Sequence, residues 1–253
     1  MCVSASASYI SLSTSMNSKV RDGKLNVLVN VVNKGDESAY NVQAEIRVGD
    51  KKVMAAKRQE LGINQRYTVA ETFDLDLKKP GQYPLILVMH YTDANQYPFS
   101  ALTCNTFVLG AGSSPAEIFG RMEQATFWKE GEAKLTLRNI SDAVISGSTQ
   151  LVVPRELSVK RSPQPVKLSA KADRMLKFPV ENFSALSGSN YQVFAITEYD
   201  LNNEHQTNIT PGMLRIVETR TILGLSYTLV AALLAVLVVV FILWQFGLPF
   251  LKK

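Results

Sequence analysis

Thiol and imidazole are scarce in this chain: 253 residues carry two cysteines and two histidines. A closed zinc site needs four Cys or His ligands converging on one point, so a structural zinc is not expected. His90 in "LVMHYTD" and His205 in "NNEHQTN" lie far apart, and no serine sits in a nucleophile-elbow setting. Each reads as a structural histidine. No Gly-x-Gly-x-x-Gly follows a strand pattern and no P-loop is present, so no cofactor and no catalytic residue is assigned. The net charge of +5 is far below the density of a nucleic-acid binder. The start, "MCVSASASYISLSTSMN", has neither a basic n-region nor an apolar h-region. Two readings follow: a signal already removed, which the Ser- and Ala-rich start favours, or a tail-anchored chain with its bulk in the cytosol.

What the sequence does have is alternation. In "LNVLVNVVNKGDESAYNVQAEIRV", Leu25, Val27, Val29 and Val31 share one face, and Val42, Ala44, Ile46 and Val48 share another. The runs "YTVAETFDLDL", "YPLILVMHYT", "LTCNTFVL", "AKLTLRN", "STQLVV", "RMLKFPV" and "YQVFAITEY" behave alike, separated by Gly, Pro, Asn or Asp. Short strands punctuated this way predict an all-β fold of sandwich type, with about seven strands in each half of the chain. Between the runs, Asn33-Lys34-Gly35-Asp36 reads as turn chemistry: Gly35 suits a backbone position with φ > 0, and Asn33 and Asp36 cap the bend.

"GAGSSP" reads as a linker over residues 110–115. It divides two halves that resemble each other. Asn33, Leu61, Gly81, Tyr91 and Asp93 are matched by Asn139, Leu168, Gly188, Tyr199 and Asp200 at an offset of 106 to 108 positions. A steady offset over several landmarks implies a tandem duplication. The expected domains are 1–109 and 116–218, each a β-sandwich.

The motifs "LNVLVNVVNKGDESAYNVQAEI", "LGINQRYTVAETFDL" and "PGQYPLILVMHY" resemble the bacterial and archaeal immunoglobulin-like domains called CARDB and their NEW3-type relatives. The resemblance covers most of residues 20–109 and, more weakly, 131–217, where "NISDAVISG" has Ser141 in place of the glycine. It implies two tandem immunoglobulin-like β-sandwich domains, mostly an extracytoplasmic kind of module, and no catalytic motif to transfer.

Four sets of residues are candidates for function. Asp93 and Asn95 in one loop and Asp200, Asn202 and Glu204 in its counterpart supply too few carboxylates for calcium and read as hairpin turns. Arg155, Lys160, Arg161, Lys167, Lys171, Arg174 and Lys177 stand against Glu156 and Asp173, an excess as large as the whole chain's. That strip suits an anionic lipid, polysaccharide or acidic partner, or is a solvated strand face. Cys2 and Cys104 pair in an oxidising compartment or stay two small hydrophobes. Asn139, Asn182 and Asn208 open glycosylation triplets.

Finally, residues 221–251 carry no charged side chain, which predicts a transmembrane helix with Tyr227 and Trp244 at its interfaces and Lys252-Lys253 as a short basic tail. Gly224, Thr228, Ala231 and Ala235 would form a small-residue face for another helix. The combined expectation is a single-pass membrane protein. Its bulk lies outside the cytoplasm, its C-terminus inside, and it acts as a non-catalytic interaction subunit among other membrane or envelope proteins. The rival reading is a polysaccharide-binding module, favoured by exposure of Tyr97 and Phe99 or of Phe127 and Trp128. A tail-anchored cytosolic adaptor is a third.

Overall fold

The computed structural model describes residues 9–110, 114–218, 221–222 and 225–247, the last two stretches with side chains at 229–242 and 245. Cys2, Gly224 and the basic tail lie outside the described residues. The chain divides into two compact units, Met1–Ile216 and Val217–Lys253.

In the first unit the strands are β1 (Leu12–Arg21), β2 (Lys24–Asn33), β3 (Ala39–Val48), β4 (Lys51–Met54), β5 (Arg58–Leu61), β6 (Arg66–Asp74), β7 (Gly81–Thr92) and β8 (Pro98–Leu109). They continue as β9 (Ile118–Met122), β10 (Ala125–Phe127), β11 (Glu130–Asn139), β12 (Ile145–Val152), β13 (Leu157–Val159), β14 (Gln164–Leu168), β15 (Asp173–Asn182), β16 (Asn190–Leu201) and β17 (Glu204–Ile216). One sheet has the order β1-β2-β6 and another β13-β15-β11-β9. The remaining strands form one ten-stranded sheet along β14-β12-β16-β17-β7-β3-β4, with β8 on β7, β5 on β3 and β10 on β17. That long sheet is two sheets meeting at a single parallel pairing, His205 opposite Gly81. The fold is all-β and sandwich-like, as the alternation requires.

Each half has its own core. In the first, Leu25, Val29 and Val31 of β2 face Val42, Ala44 and Ile46 of β3 and Leu85, Leu87 and Met89 of β7, all fully buried. In the second, Ala133, Leu135 and Leu137 of β11 and Phe178 of β15 meet Val193 and Ala195 of β16. The period-two face read from β2 and β3 is the face that points inward.

The same turn closes β2 and β11. Asn33 is fully buried; its amide donates to the Glu37 carbonyl at 2.6 Å and the Leu61 carbonyl at 3.0 Å, and its oxygen accepts from the Gly35 amide at 3.0 Å. Asn139, equally buried, donates to the carbonyls of Ala143 at 2.8 Å, Leu168 at 3.4 Å and Ser169 at 3.0 Å, and accepts from Ser141. Two of the landmarks that exposed the offset, Asn33 with Leu61 and Asn139 with Leu168, are thus hydrogen-bonded pairs. Gly35 corrects the expectation: it is not among the residues of positive φ. A Cβ there would lie 2.2 Å from the Tyr9 carbonyl oxygen and 2.7 Å from the Ser11 nitrogen. The glycine is needed because the chain entering β1 crosses directly above it, bonded through Lys34 N to Ser11 O and Asp36 N to Tyr9 O.

The second unit holds β18 (Thr221–Ile222) paired with β19 (Leu225–Ser226) and the helix α1 (Tyr227–Gly247). Here the sequence expectation is corrected. Among the described residues no helix is long and apolar enough to cross a membrane. The expected single-pass anchor is therefore overturned, and with it the placement of the bulk outside the cytoplasm and of the C-terminus inside. Of the small-residue face, Gly224 and the Thr228 side chain lie outside the description, and Ala231 and Ala235 are exposed on α1.

Asn139→Ala strips the donor from three carbonyls at once, so it is expected to cost about 1–3 kcal/mol. Urea unfolding should show a lower midpoint with an unchanged slope; a loss under about 0.5 kcal/mol would remove the turn from the fold's essentials.

Candidate functional site at the junction of the two halves

Most sandwich strands bury one face; β7 and β16 bury both over their central residues. In β7, Leu85, Leu87 and Met89 point into the first core while Ile86 and Val88 point outward, and these are buried too. The outward residues meet Leu102 and Cys104 of β8, Val152 of β12, and Phe194 and Ile196 of β16. The halves therefore pack back to back through a third apolar cluster. Burial pushes the Cys104 thiol up to about 12, which keeps it protonated and unreactive. Its thiol is free among the described residues, and Cys2 lies outside them.

At one end of this cluster is a polar clasp. His205 N donates to the Pro80 carbonyl at 2.9 Å and Thr207 Oγ1 to the Gln82 carbonyl at 2.8 Å. Gly81 has φ +136°, and a Cβ there would sit 1.9 Å from the His205 carbonyl oxygen, so only glycine permits the approach. The His205 ring stacks on Tyr83 with centroids 4.2 Å apart. Its Nδ1 lies 3.0 Å from Asp200 Oδ1 and its Nε2 3.2 Å from Glu198 Oε1, while Asp200 Oδ2 accepts from Lys79 at 2.7 Å. Burial lowers the imidazole's pKa, but the two carboxylates outweigh it, and the net shift is upward.

At the other end is Glu156, fully buried. Its carboxylate accepts from Ser100 N at 2.7 Å and Ser100 Oγ at 2.6 Å, while its carbonyl accepts from Phe183 N at 2.9 Å and Ser184 N at 3.1 Å. Ser100 Oγ in turn accepts from Arg155 N at 3.0 Å. The Tyr97 hydroxyl donates to the Ser184 carbonyl, a further bond across the junction. Beside this latch opens a groove of about 350 Å³ whose walls include Tyr91, Phe99, Tyr191, Asn190 and Gln192. Burial, and then the Glu156 charge, push the Tyr91 and Tyr191 hydroxyls up to about 12. On the loop that Glu156 holds, Phe183 stands 83% exposed and Leu186 44% exposed.

The basic strip does not stay together. Lys160 pairs with Glu181 and lies 3.7 Å from Glu130; Lys171 lies 3.4 Å from Asp142 and Lys177 3.2 Å from Glu132. Arg174 donates to the Lys167 carbonyl. Folding thus brings in acids from β11, β15 and the β11–β12 turn. Arg155 leaves the strip for the junction, and the exposed Arg161 makes no ion pair among the described residues. In the loops tested for calcium, Asp93 caps its own turn through Tyr97 N at 2.8 Å, Asp200 is committed to Lys79 and His205, and Glu204 accepts from Ser114 N. Asn95 is exposed, and Asn202 is a left-handed turn residue at φ 53°. Asn139 is sealed in its turn, and the Asn182 amide is spent on the carbonyls of Trp128 and Ala185, so neither presents a free glycosylation nitrogen. Phe127 is buried, and Tyr97, Phe99 and Trp128 are partly buried.

Sequence reasoning missed Glu156, Ser100 and Phe183. The available signal was indirect. "PLILVM" and "VFAI" are continuous apolar runs, which mark strands covered on both faces.

No protein-family model matches the chain, and no curated protein matches it. Solved structures do. A Salmonella alpha-2-macroglobulin mutant is 13% identical over 82% of this chain and 16% of its own, with a TM-score of 0.33. A red sea bream transglutaminase is 12% identical over 80% and 31%, with a TM-score of 0.28. The YadV chaperone is 14% identical over 79% and 98%, with a TM-score of 0.35. This chain spans under a third of the macroglobulin and transglutaminase chains it matches. Likeness of this strength assigns neither family nor activity.

Two outcomes test the junction. Ile196→Ala opens a cavity in the apolar cluster and is expected to cost about 2–5 kcal/mol and to split thermal unfolding into two steps; one unshifted transition would deny the cluster its role. His205 has a raised folded-state pKa, so its contribution is fully present below about 6.5, the unfolded value, and is lost as pH rises through the folded value. The stability difference between wild type and His205→Ala should therefore shrink from pH 6 to pH 9, and a difference flat in pH would show the ring to be neutral throughout.

Proposed function

We propose that this chain is a non-catalytic protein-interaction module, two immunoglobulin-like sandwiches of CARDB and NEW3 type fixed back to back, which holds a partner protein at their junction. One observation carries the reading: Phe183 is 83% exposed on a loop whose backbone is tied at several points. Phe183 N and Ser184 N donate to Glu156, Ala185 N donates to Asn182 Oδ1 at 2.7 Å, and Ser184 O accepts from Tyr97. A large aromatic side chain on a rigid backbone loses little entropy when a partner covers it, which is the character of an interface anchor. Leu186, 44% exposed on the same loop, widens the patch. Rigid docking of this kind needs no rearrangement of the sandwiches.

A second reading, polysaccharide binding, is favoured by the groove itself, where the rings of Tyr91, Phe99 and Tyr191 stand among hydroxyl and amide side chains.

The test is affinity purification of the full chain from its own cells, wild type beside Phe183→Asp. Because the side chain is exposed, the substitution leaves the fold intact, checked by circular dichroism. A stoichiometric protein recovered with wild type and reduced tenfold or more with the variant, a loss of about 2 kcal/mol or more, is the expected result. Recovery of the same proteins by both would overturn the anchor, and recovery of glycan without protein would turn the assignment to the second reading.

A further inference from the structure

On the other side of Tyr91 lies a second groove, of about 630 Å³. Its floor is the outward face of β3 and β7, with Asn41, Gln43, Glu45, His90 and Thr92; Lys52, Met54 and Lys57, and Arg155 from the other half, complete its lining. The charges do not balance. Glu45 is 3% exposed and already holds Arg47 at 2.5 Å, Lys52 at 3.0 Å and His90 Nε2 at 2.9 Å. Lys57 and Arg155 are exposed and make no ion pair among the described residues. Arg155 is nevertheless held in place, because its backbone nitrogen is bonded to Ser100 Oγ beside the Glu156 latch. Two unpaired cations from different halves therefore face one concavity.

Two further features point to a ligand. His90 Nδ1 is buried in the floor without a hydrogen-bond partner among the described residues, an unsatisfied polar atom of a kind folded proteins rarely tolerate. The β3–β7 ladder also breaks between Tyr40 and Gln43, and Asn41 there adopts φ 53°, its amide turned onto Thr92 Oγ1 at 3.3 Å and Gln96 Oε1 at 3.0 Å. Such a bulge re-aims side chains at the groove's edge.

We propose that this groove binds a carboxylate-bearing segment of a partner polypeptide, with Lys57 and Arg155 as the receiving charges and the side-chain oxygens of Asn41 and Gln43, whose amide nitrogens are spent on Thr92, Gln96 and Ala55, as acceptors for its backbone N–H groups. Guanidinium and carboxylate match as a two-point pair, and the amide-lined floor suits a peptide. Two unpaired cations are too few to hold a nucleic-acid backbone. The site rests on the reading of the chain as an interaction module and gives that module its charge preference.

The test is fluorescence anisotropy of a labelled hexaglutamate peptide with the full chain at low salt. Wild type should bind it and leave hexalysine free. K57E/R155E should weaken binding about tenfold or more, whereas K167E/R174E, the same charge change elsewhere, should leave it unchanged. No binding to wild type, or equal loss in both double variants, overturns the site, the second because it would show diffuse attraction only. Citrate that displaces the peptide at equal carboxylate concentration would overturn the polypeptide assignment in favour of a free polyacid. A single-stranded oligonucleotide held more tightly through the same two residues would overturn it in favour of nucleic acid. Failure here with Phe183→Asp still releasing the partner would leave the interaction module standing and remove only this groove from it.

Discussion

The structure of the first unit depends on two strands whose outward faces are dry at their centres. β7 and β16 are each covered on the inside by their own sandwich and on the outside by the other, so the halves cannot separate without exposing Ile86, Val88, Phe194 and Ile196 to water. Burying a side chain of that size is worth about 1.5–3 kcal/mol, whereas exposed ion pairs such as Lys79 with Asp200 contribute about 0–1 kcal/mol. The apolar cluster therefore supplies the cohesion, and the polar groups at its ends supply the register. Gly81 against His205 fixes one end, since no larger residue lets the backbones come so close. Glu156 on Ser100 fixes the other.

A buried carboxylate is an expensive way to fix anything. Desolvation of Glu156 is offset by two short bonds from Ser100, and the net gain in stability from such an arrangement is small. What it confers is uniqueness: the acid has one satisfactory place, and sliding the halves would leave it unpaired. That requirement also positions both features read as functional. The loop bearing Phe183 hangs from the Glu156 carbonyl, and the backbone of Arg155, one residue earlier, is tied to the same serine. Exposed anchor and free guanidinium are thus held by one buried group, on a body whose stiffness comes from the apolar cluster.

Much of this was legible in the sequence wherever it depended on local chemistry. Period two in "LNVLVNVV" gave the buried face of β2 residue by residue, and Asn33 with Leu61 against Asn139 with Leu168 marked a repeated turn before the shared hydrogen bond was visible. Gly35 shows the limit. Its identity was readable as a turn residue, but its reason is a backbone crossing from Tyr9 to Ser11, a contact between distant segments. Glu156 was hidden for the same cause. It stood in a basic stretch as a minor offset of charge, and nothing near it in sequence showed that Ser100 would reach it. The apolar run near the C-terminus had the composition of a membrane span, yet among the described residues no helix is long and apolar enough to cross a membrane.

Charge is where sequence proximity misleads most. In a helix, neighbours three or four positions apart stay neighbours; in a sandwich built of short strands, a run of cations is distributed over turns and sheets, and each site then meets whatever the pairing strand carries. Lys160, Lys171 and Lys177 meet acids from β11, β15 and the β11–β12 turn, so the run that looked like one basic surface is in large part a set of ion pairs. Lys57 and Arg155, in different halves and with no sequence relation, are the cations left facing a common space, because the back-to-back packing brings the turn after β12 against the outer face of β3 and β7. In an all-β chain a charged site is therefore a property of the packing of the halves, and whatever fixes that packing also fixes the site.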